Sequence, residues 1–295
     1  MINVDLSKIP EYNDFSIITP IEKGSGENKY HVVHANGSML FLRVGYMTNY
    51  ESVQISLTAE TLGIPMAKTL YHGILNGGEY FYSLQTWIDG TDAIALIPTL
   101  DENKKFEFGV KAGKLLSKLH TLPASQNIKT LNDWLNILTN ENRINKVLDN
   151  NPNDLILCEN IIAYIKNNKY ILNLRPQTFN HGDWGIANLL ITLENEVLPF
   201  DFSVNQYHVS NGDPWFEIEN YKLRTDLMSY QAGEIYGYFN GEIPNEFWQV
   251  YLFYEMLRAF RYLLEMPELT PRLHEWYNNR IESAESIIPY WYKKR

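Results

Sequence analysis

The feature that most constrains the fold of this 295-residue chain is a change of hydrophobic pattern at residues 85–92. Before that point, short runs rich in β-branched and aromatic residues alternate with turn signals, including Asn36-Gly37 and the Asn-Gly-Gly sequence at 76–78. One segment, residues 49–63, has a helical pattern and ends in glycine. The predicted order is three strands, a helix and two strands in a mostly antiparallel sheet.

Beyond this change the chain has mainly helical patterns. Residues 131–148, 153–168 and the whole chain from Thr225 onward look helical, and a short hairpin is predicted at 189–202. The segment 106–120 carries an apolar stripe at helical spacing, formed by Phe108, Ala112, Leu115, Leu116 and Leu119.

These patterns predict an α+β fold with two lobes. The smaller lobe, residues 1–88, is expected to be a mostly antiparallel β-sheet with one helix. The larger lobe, residues 89–295, is expected to be mainly helical. A chain that is 45% hydrophobic can bury a core of this size.

The charge and the cysteine content of the chain limit which ligands and which kinds of site are expected. The chain has 25 Lys and Arg against 35 Asp and Glu, a net charge of −10, which disfavours nucleic acid and anionic membranes and attracts cationic ligands. Such acidity also accompanies plain solubility. Cys158 is the single cysteine, so a disulfide framework or a thiolate zinc site within one chain is excluded. Without a signal-peptide pattern or an apolar run of ~20 residues, we expect a cytoplasmic protein, as a monomer or homodimer.

The segment HGDWGIANLL, residues 181–190, contains the strongest chemical pattern. The predicted hairpin that follows it returns the chain, so that Asp201 can lie beside Asn188. A carboxylate and an amide oxygen suit Mg²⁺ that carries a polyphosphate, and Asp183 could accept the proton of an attacking hydroxyl. The alternative is a capped turn, because Asp and Asn favour turns for local reasons. A base, two metal ligands and a glycine-rich turn are the parts of kinase-type phosphoryl transfer.

At these residues the sequence resembles the aminoglycoside phosphotransferase and choline kinase family, which has a protein-kinase-like fold. HGDWGIANLL resembles the catalytic loop of the family, LPFDFS its metal-binding strand end, GVKAGKLLSKLH the helix after the hinge, and NGDPWFEIEN the acidic segment after the metal aspartate. The resemblance implies a nucleotide-binding lobe at 1–88 and a catalytic and acceptor-binding lobe at 89–295. It also implies Asp183 as base, Asn188 and Asp201 as Mg²⁺ ligands, and His181 as a brace for the loop.

The resemblance also implies phosphate contacts from the first strands. Gly24, Ser25 and Gly26 could present backbone N–H groups to the phosphates, although an ordinary hairpin turn would have the same composition. Arg43 stands where many kinases have lysine, and it would still supply a permanent cation with a forked donor geometry.

Two further parts of the nucleotide site are less defined by sequence. The helical acid that should orient Arg43 could be Glu51 or Glu60, but Ser52 to Gln54 occupy the expected place. The hinge is expected at residues 85–88, with Gln85, Trp87 and Ile88 around the base, and recognition there by backbone leaves ATP or GTP open.

The acceptor is expected to be a small cationic molecule. Only eleven residues separate Asp201 from Asp213, too few for the activation segment of a regulated protein kinase, and no glycine follows Phe202. Asp213, Glu217 and Glu219 could pair with amines of an acceptor, although Asp213 could instead cap the catalytic loop.

The resulting hypothesis is a kinase that uses ATP or GTP with Mg²⁺ to phosphorylate a hydroxyl of a small, cationic acceptor. An aminoglycoside is the family default, and choline, an amino alcohol or a sugar are alternatives. A nucleotide-binding pseudokinase is a rival because the helical acid is displaced. A zinc hydrolase built on His31 and His34 lacks a third ligand.

Overall fold

A computed structural model of the chain describes residues 2–22, 26–124, 131–202, 211–218, 225–266, 268, 270, 271 and 273. The chain divides into two compact units, one of Met1–Leu96 with His181–Ser210 and the other of Ile97–Asn180 with Asn211–Arg295. The segment that follows His181 therefore groups with the N-terminal residues, whereas the sequence pattern had placed everything after residue 88 in one lobe. None of the described helices is both long and apolar enough to cross a membrane.

The first unit contains a five-stranded antiparallel sheet with strand order β1-β2-β3-β5-β4. Helix α1 follows the third strand, so the predicted order of three strands, a helix and two strands is confirmed. The elements are β1 Phe15–Ile21, β2 Glu27–His34, β3 Met39–Tyr46, α1 Glu51–Glu60, β4 Thr69–Leu75 and β5 Tyr80–Thr86.

The turn between β2 and β3 sets which side chains face each other. Gly37 in this turn has φ +86°, a left-handed conformation that glycine adopts without steric cost. The turn fixes a register in which Lys29 lies opposite Arg43, and Glu27 lies opposite Gly45. Opposite residues of an antiparallel pair point to the same face, so the turn determines the charge pattern of this face.

The two faces of the β2–β3 hairpin have different roles because side chains alternate along a strand. Val32, Leu42 and Val44 are fully buried on one face, where they join the first hydrophobic core with Leu84. The other face carries Phe41, Arg43 and Lys29, which line a cavity.

A second, three-stranded sheet in the first unit has the order β6-β8-β9. Strands β8, Leu189–Thr192, and β9, Val197–Pro199, form the predicted hairpin, with Leu189 paired to Pro199. Strand β6, Gly90–Asp92, was not predicted, because its polar sequence lacks a strand pattern and pairing with β8 holds it extended. Helix α2, Ala93–Leu96, follows it.

The second unit is mainly helical, as predicted. The segment 131–148 forms two helices, because Asn140 accepts a hydrogen bond from the Arg143 N–H at 3.1 Å and caps the second one. A core of buried apolar side chains lies among α5, α6 and α8. The elements are α3 Glu102–Leu119, α4 Leu131–Leu138, α5 Glu141–Asn150, α6 Leu155–Asn168, β7 Thr178–Phe179, β10 Asn211–Gly212, α7 Met228–Tyr238 and α8 Phe247–Glu265.

Helices α3 and α7 pack with their backbones in direct contact. The predicted apolar stripe of α3 is buried, and the same helix carries Gly109 and Gly113. Helix α7 carries Gly233 and Gly237 at the same spacing of four. A Cβ atom at any of these glycines would overlap backbone atoms of the facing helix, so this close packing requires glycine at all four positions.

Candidate active site

The catalytic-loop sequence forms a tight bend that exposes one carboxylate. Gly182 has φ +90°, and the bend leaves Asp183 exposed between the buried His181 and Trp184. His181 Nε2 lies 3.0 Å from the carbonyl oxygen of Phe200 and must donate to it, so His181 Nδ1 is the acceptor for the Asp183 N–H at 3.3 Å. His181 is therefore the neutral Nε2–H tautomer, and it ties the loop to the end of β9.

Asn188 holds Asp183 through its side-chain amide. Asn188 Nδ2 donates to the backbone oxygen of Asp183 at 2.8 Å and to its carboxylate oxygen Oδ2 at 2.9 Å. The Phe200 N–H donates to the backbone oxygen of Asn188 at 3.0 Å, which brings the start of β8 beside the residue before Asp201. With the amide nitrogen committed to Asp183, the amide oxygen is the atom that Asn188 offers to a ligand.

Asp201 lies on the same cavity as Asn188, directly beyond the end of the hairpin. Its φ of +58° is in the left-handed region, which is costly for a residue with a side chain and is concentrated at functional sites. Its side chain is 37% exposed, with Oδ1 3.6 Å from Arg43 Nη2 and Oδ2 3.7 Å from Lys29 Nζ. Both distances exceed hydrogen-bond length, so the two cations form ion pairs with this carboxylate without hydrogen-bonding to it.

The acid that orients Arg43 is Glu27 on the neighbouring strand. Arg43 Nε donates to Glu27 Oε2 at 2.9 Å and Arg43 Nη2 donates to Glu27 Oε1 at 3.0 Å, with both side chains buried. Burial lowers the pKa of Arg43, but the Glu27 carboxylate together with Asp201 outweighs this effect, so the net shift of the pKa is upward. Neither helical acid has this role, because Glu51 is exposed and the Glu60 carboxylate accepts the Thr69 N–H at 2.9 Å.

Sequence reasoning missed Glu27 and also Lys29. Both lie on β2, two residues apart, and therefore share the face that Arg43 occupies on β3. The Asn36-Gly37 signal alone did not give this register, because a two-residue turn there would pair Lys29 with Val44, whereas the observed turn spans residues 35–37 and pairs Lys29 with Arg43.

The predicted hinge lines a cavity of about 320 Å³ within the first unit, in the size range of small-molecule sites. The charged and polar side chains at this cavity are Lys29, Arg43, Asp92, Asn188 and Asp201, together with Ser56 and Thr86. Its remaining wall is mostly apolar, and includes Ile21, Phe41, Met66, Ala67, Trp87, Ile88 and Leu190, together with Gln85.

The hinge backbone is partly engaged within the protein. The Thr86 N–H donates to Lys68 O at 2.9 Å, and the Trp87 N–H donates to Met39 O at 3.2 Å. The Trp87 ring contacts the His31 ring edge-to-face, with centroids 4.5 Å apart. The backbone N–H groups of Thr86 and Trp87 are thus hydrogen-bonded within the protein. The next backbone N–H group along the hinge is that of Ile88.

Three predicted site residues lie outside the described part of the chain, namely Gly24, Ser25 and Glu219. Gly26 is described, in a bend before β2 with φ +85°. A side chain at this position would be strained, so Gly26 is required by the local backbone.

The predicted acceptor residues Asp213 and Glu217 are buried in the second unit. Asp213 accepts two hydrogen bonds from Arg175, at 2.7 and 2.8 Å, and one from the Tyr254 hydroxyl at 2.7 Å. Glu217 Oε2 lies 3.0 Å from His120 Nε2. Both carboxylates therefore make interior contacts, and those of Asp213 are with Arg175 and Tyr254 rather than with the catalytic loop. Acceptor binding by these residues stays a prediction.

A zinc site at His31 and His34 finds no support among the residues described. No group of three or more His, Cys, Asp and Glu side chains is placed there to hold a metal ion. His34 Nδ1 instead accepts the Asn36 N–H at 3.2 Å. Mg²⁺ requires fewer protein ligands than zinc, because it retains several water ligands and also binds substrate oxygens. One carboxylate and one amide oxygen are therefore sufficient protein ligands for Mg²⁺.

Solved structures with a similar fold define the class of protein. A gentamicin complex of APH(2")-IIa matches with a TM-score of 0.60 at 13% identity, over 98% of this chain and 99% of that one. The GDP complex of aminoglycoside 2'-phosphotransferase-IIIa matches with a TM-score of 0.60 at 13% identity, over 97% and 95%. Amicoumacin kinase hAmiN, in complex with AMP-PNP, Ca²⁺ and Ami, matches with a TM-score of 0.56 at 12% identity, over 82% and 78%. The chain therefore has a kinase-like fold.

The family follows from the sequence. The model of the phosphotransferase enzyme family, APH, matches residues 17–220, which is more than two thirds of the chain. The chain belongs to this phosphotransferase family. A comparison with curated proteins found no significant match.

Proposed function

We propose that this protein is a kinase that transfers the γ-phosphoryl group of ATP or GTP to a hydroxyl of a small, cationic acceptor, with Mg²⁺. One observation carries the proposal. Asp183 and Asn188 are hydrogen-bonded within one loop, and Asn188 and Asp201 line a cavity that Arg43 also lines. This is the donor set that phosphoryl transfer needs, since catalysis there consists mainly of positioning and charge stabilisation.

Asn188 and Asp201 are the residues that would hold the metal ion. The Asn188 amide oxygen and the Asp201 carboxylate are hard oxygen donors, and neither is consumed by a short hydrogen bond to a cation. When bound, Mg²⁺ would supply neutralisation of the phosphate charge. Arg43 would contribute the fixed positive charge that holds the phosphates which are not transferred.

Asp183 would act as the base. It is exposed, and Asn188 holds its Oδ2, which orients the other oxygen, Oδ1, to accept the proton of the acceptor hydroxyl. The acceptor oxygen would then attack phosphorus as the bond to the nucleoside diphosphate breaks. His181 would brace the loop, because both of its ring nitrogens are already hydrogen-bonded.

The apolar cavity would hold the purine. Phe41 and Leu190 are among the side chains that could cover its faces, and the Ile88 N–H is the hinge donor we assign to the base. The structural relatives bound to GDP and AMP-PNP support nucleotide binding in general and leave open which purine is preferred.

The acceptor class is inferred from charge and family. The net charge of −10 favours a cationic molecule. The gentamicin complex of a relative makes an aminoglycoside the first candidate, with choline, another amino alcohol or a sugar as alternatives. A nucleotide-binding pseudokinase is the second candidate function, and the observation in its favour is that no helical acid among the described residues pairs with Arg43.

The test is release of nucleoside diphosphate by the purified protein. ATP and GTP should each be supplied with Mg²⁺ and a panel of aminoglycosides, choline, amino alcohols and sugars. Turnover that depends on one acceptor class and stops with EDTA would support the kinase. Nucleotide binding without turnover on any acceptor would favour the pseudokinase.

A further inference from the structure

We propose that Lys29 is a second cation for the nucleotide phosphates, beside an Arg43 that Glu27 holds in place within the sheet. This inference rests on the proposed function, because it names the groups that bind the nucleotide of that reaction. It assigns to β2 a cationic side chain for the phosphates, a role that the sequence had given to Arg43 on β3 alone.

The position of Lys29 follows from strand pairing. Lys29 is directly opposite Arg43 in the β2–β3 ladder, so both side chains leave the sheet on the face that lines the cavity. The Lys29 side chain is only 16% exposed, and its Nζ lies 3.7 Å from Asp201 Oδ2. A lysine that is mostly enclosed and directed at the candidate metal ligand is placed to contact a phosphate there.

Arg43 is less available than Lys29, because it is already hydrogen-bonded to a carboxylate, whereas among the described residues Lys29 has only the longer ion pair with Asp201. Two donors of the guanidinium are engaged by the Glu27 carboxylate at 2.9 and 3.0 Å. The pair is well fitted, since Gly45 lies opposite Glu27 and a Cβ at Gly45 would come within 3.1 Å of Glu27 Cγ and 2.6 Å of the Phe81 ring. Glu27 thus positions Arg43 and also cancels part of its attraction for phosphate.

The balance of charges points to the same role for Lys29. Glu27 and Asp201 together offset Arg43 and Lys29, so the four side chains are neutral as a group. A nucleoside triphosphate brings more negative charge than one divalent ion removes. Once Asp201 serves a metal ion, Lys29 would have a phosphate as its natural counter-ion.

Helix α1 does not supply the missing acid on its buried side. The buried residues of this helix are Ser52, Val53, Ile55, Ser56 and Ala59, and Ser56 is the one that lines the cavity. Arg43 and Lys29 are therefore oriented by the pairing of β2 with β3. This pairing does not depend on the position of α1.

The experiment is equilibrium binding by the full chain, without metal and again with Mg²⁺. The ligands are ATP or GTP, whichever binds more tightly, and the matching nucleoside, which lacks phosphate. In Lys29→Met we expect triphosphate affinity to fall about tenfold or more in both conditions, with nucleoside affinity unchanged. Lys29→Arg should retain most of the affinity. Lys114→Met, at an exposed lysine of α3, is the matched control and should bind like the unsubstituted protein.

Two results would overturn the assignment of Lys29. One is triphosphate binding by Lys29→Met that equals the unsubstituted protein. The other is an equal loss for triphosphate and nucleoside, because a phosphate contact cannot affect a ligand that has no phosphate. If the unsubstituted protein bound neither ligand, the proposed function itself would fail, and this result is distinct from the other two.

Discussion

Asn188 is bonded to Asp183 twice, through the backbone oxygen at 2.8 Å and through the carboxylate oxygen at 2.9 Å. Both bonds use the amide nitrogen. Asn188 also lines the cavity that Asp201 and Arg43 line. One short side chain thus links the candidate base to the candidate metal site.

Asn188→Ala should impair both the positioning of Asp183 and the binding of the metal ion. We expect a loss of roughly ten- to hundred-fold in kcat and a higher Mg²⁺ requirement, since removing groups that orient a metal site has effects of this size. The measurement is turnover as a function of Mg²⁺ concentration. An unchanged Mg²⁺ requirement would mean that Asn188 does not serve the metal ion.

Asp183→Ala should remove turnover while leaving nucleotide binding intact. The loss of a general base reduces the rate by about 10²- to 10⁴-fold. The matched control is Asp149→Ala at an exposed position of α5, which should keep full activity. Near-normal turnover by Asp183→Ala would show that another group accepts the proton.

Glu27→Gln should slow the reaction although we assign Glu27 no contact with the substrate. Without its carboxylate partner, Arg43 would lose its fixed position, and a misplaced catalytic group can reduce the rate roughly ten- to hundred-fold. Glu51→Gln, at the exposed start of α1, is the comparison and should have little effect. Kinetic constants at temperatures below unfolding separate this role from a loss of stability. Equal rates for both variants would argue against positioning by Glu27.

Gly113→Ala should destabilise the second unit. Alanine normally favours a helix over glycine, but here the added Cβ would overlap the backbone oxygen of Glu234 on α7. Overpacking of this kind costs about 1–3 kcal/mol in the free energy of unfolding. Urea unfolding would measure it, with Lys114→Ala on the exposed side of the same helix as control. A stability equal to that of Lys114→Ala would disprove the tight contact.

Cys158 should be unreactive in the native protein. It is fully buried, and burial raises the pKa of its thiol to about 11, above the ordinary value. The folded state therefore retains a proton that the unfolded chain releases, so this thiol's contribution to stability is present below pH 9 and is lost as the pH rises toward 11. Titration with a thiol reagent at pH 8 should be slow before denaturation and fast after it. Rapid reaction of Cys158 with the reagent in the folded protein would contradict the burial of this thiol.

The order of the elements could be predicted because periodicity and turn chemistry are local properties of a chain. The stripe on α3 and the hairpin after Asn188 were recognised in this way. Strand β6 was missed, since its three polar residues are extended only through pairing with β8. The glycines of α3 and α7 gave no sequence signal by themselves, because their role exists only where two helices meet.

The sequence by itself determined the kinase-like fold, through local patterns and through contiguous motifs such as the one that contains Asp183 and Asn188. Only the tertiary structure decided which acid meets Arg43 and that Lys29 lies beside Asp201. The physical reason is that these contacts join side chains from separate segments. Strand register and the packing of the hairpin against the sheet set their distances, and no single stretch of sequence encodes either.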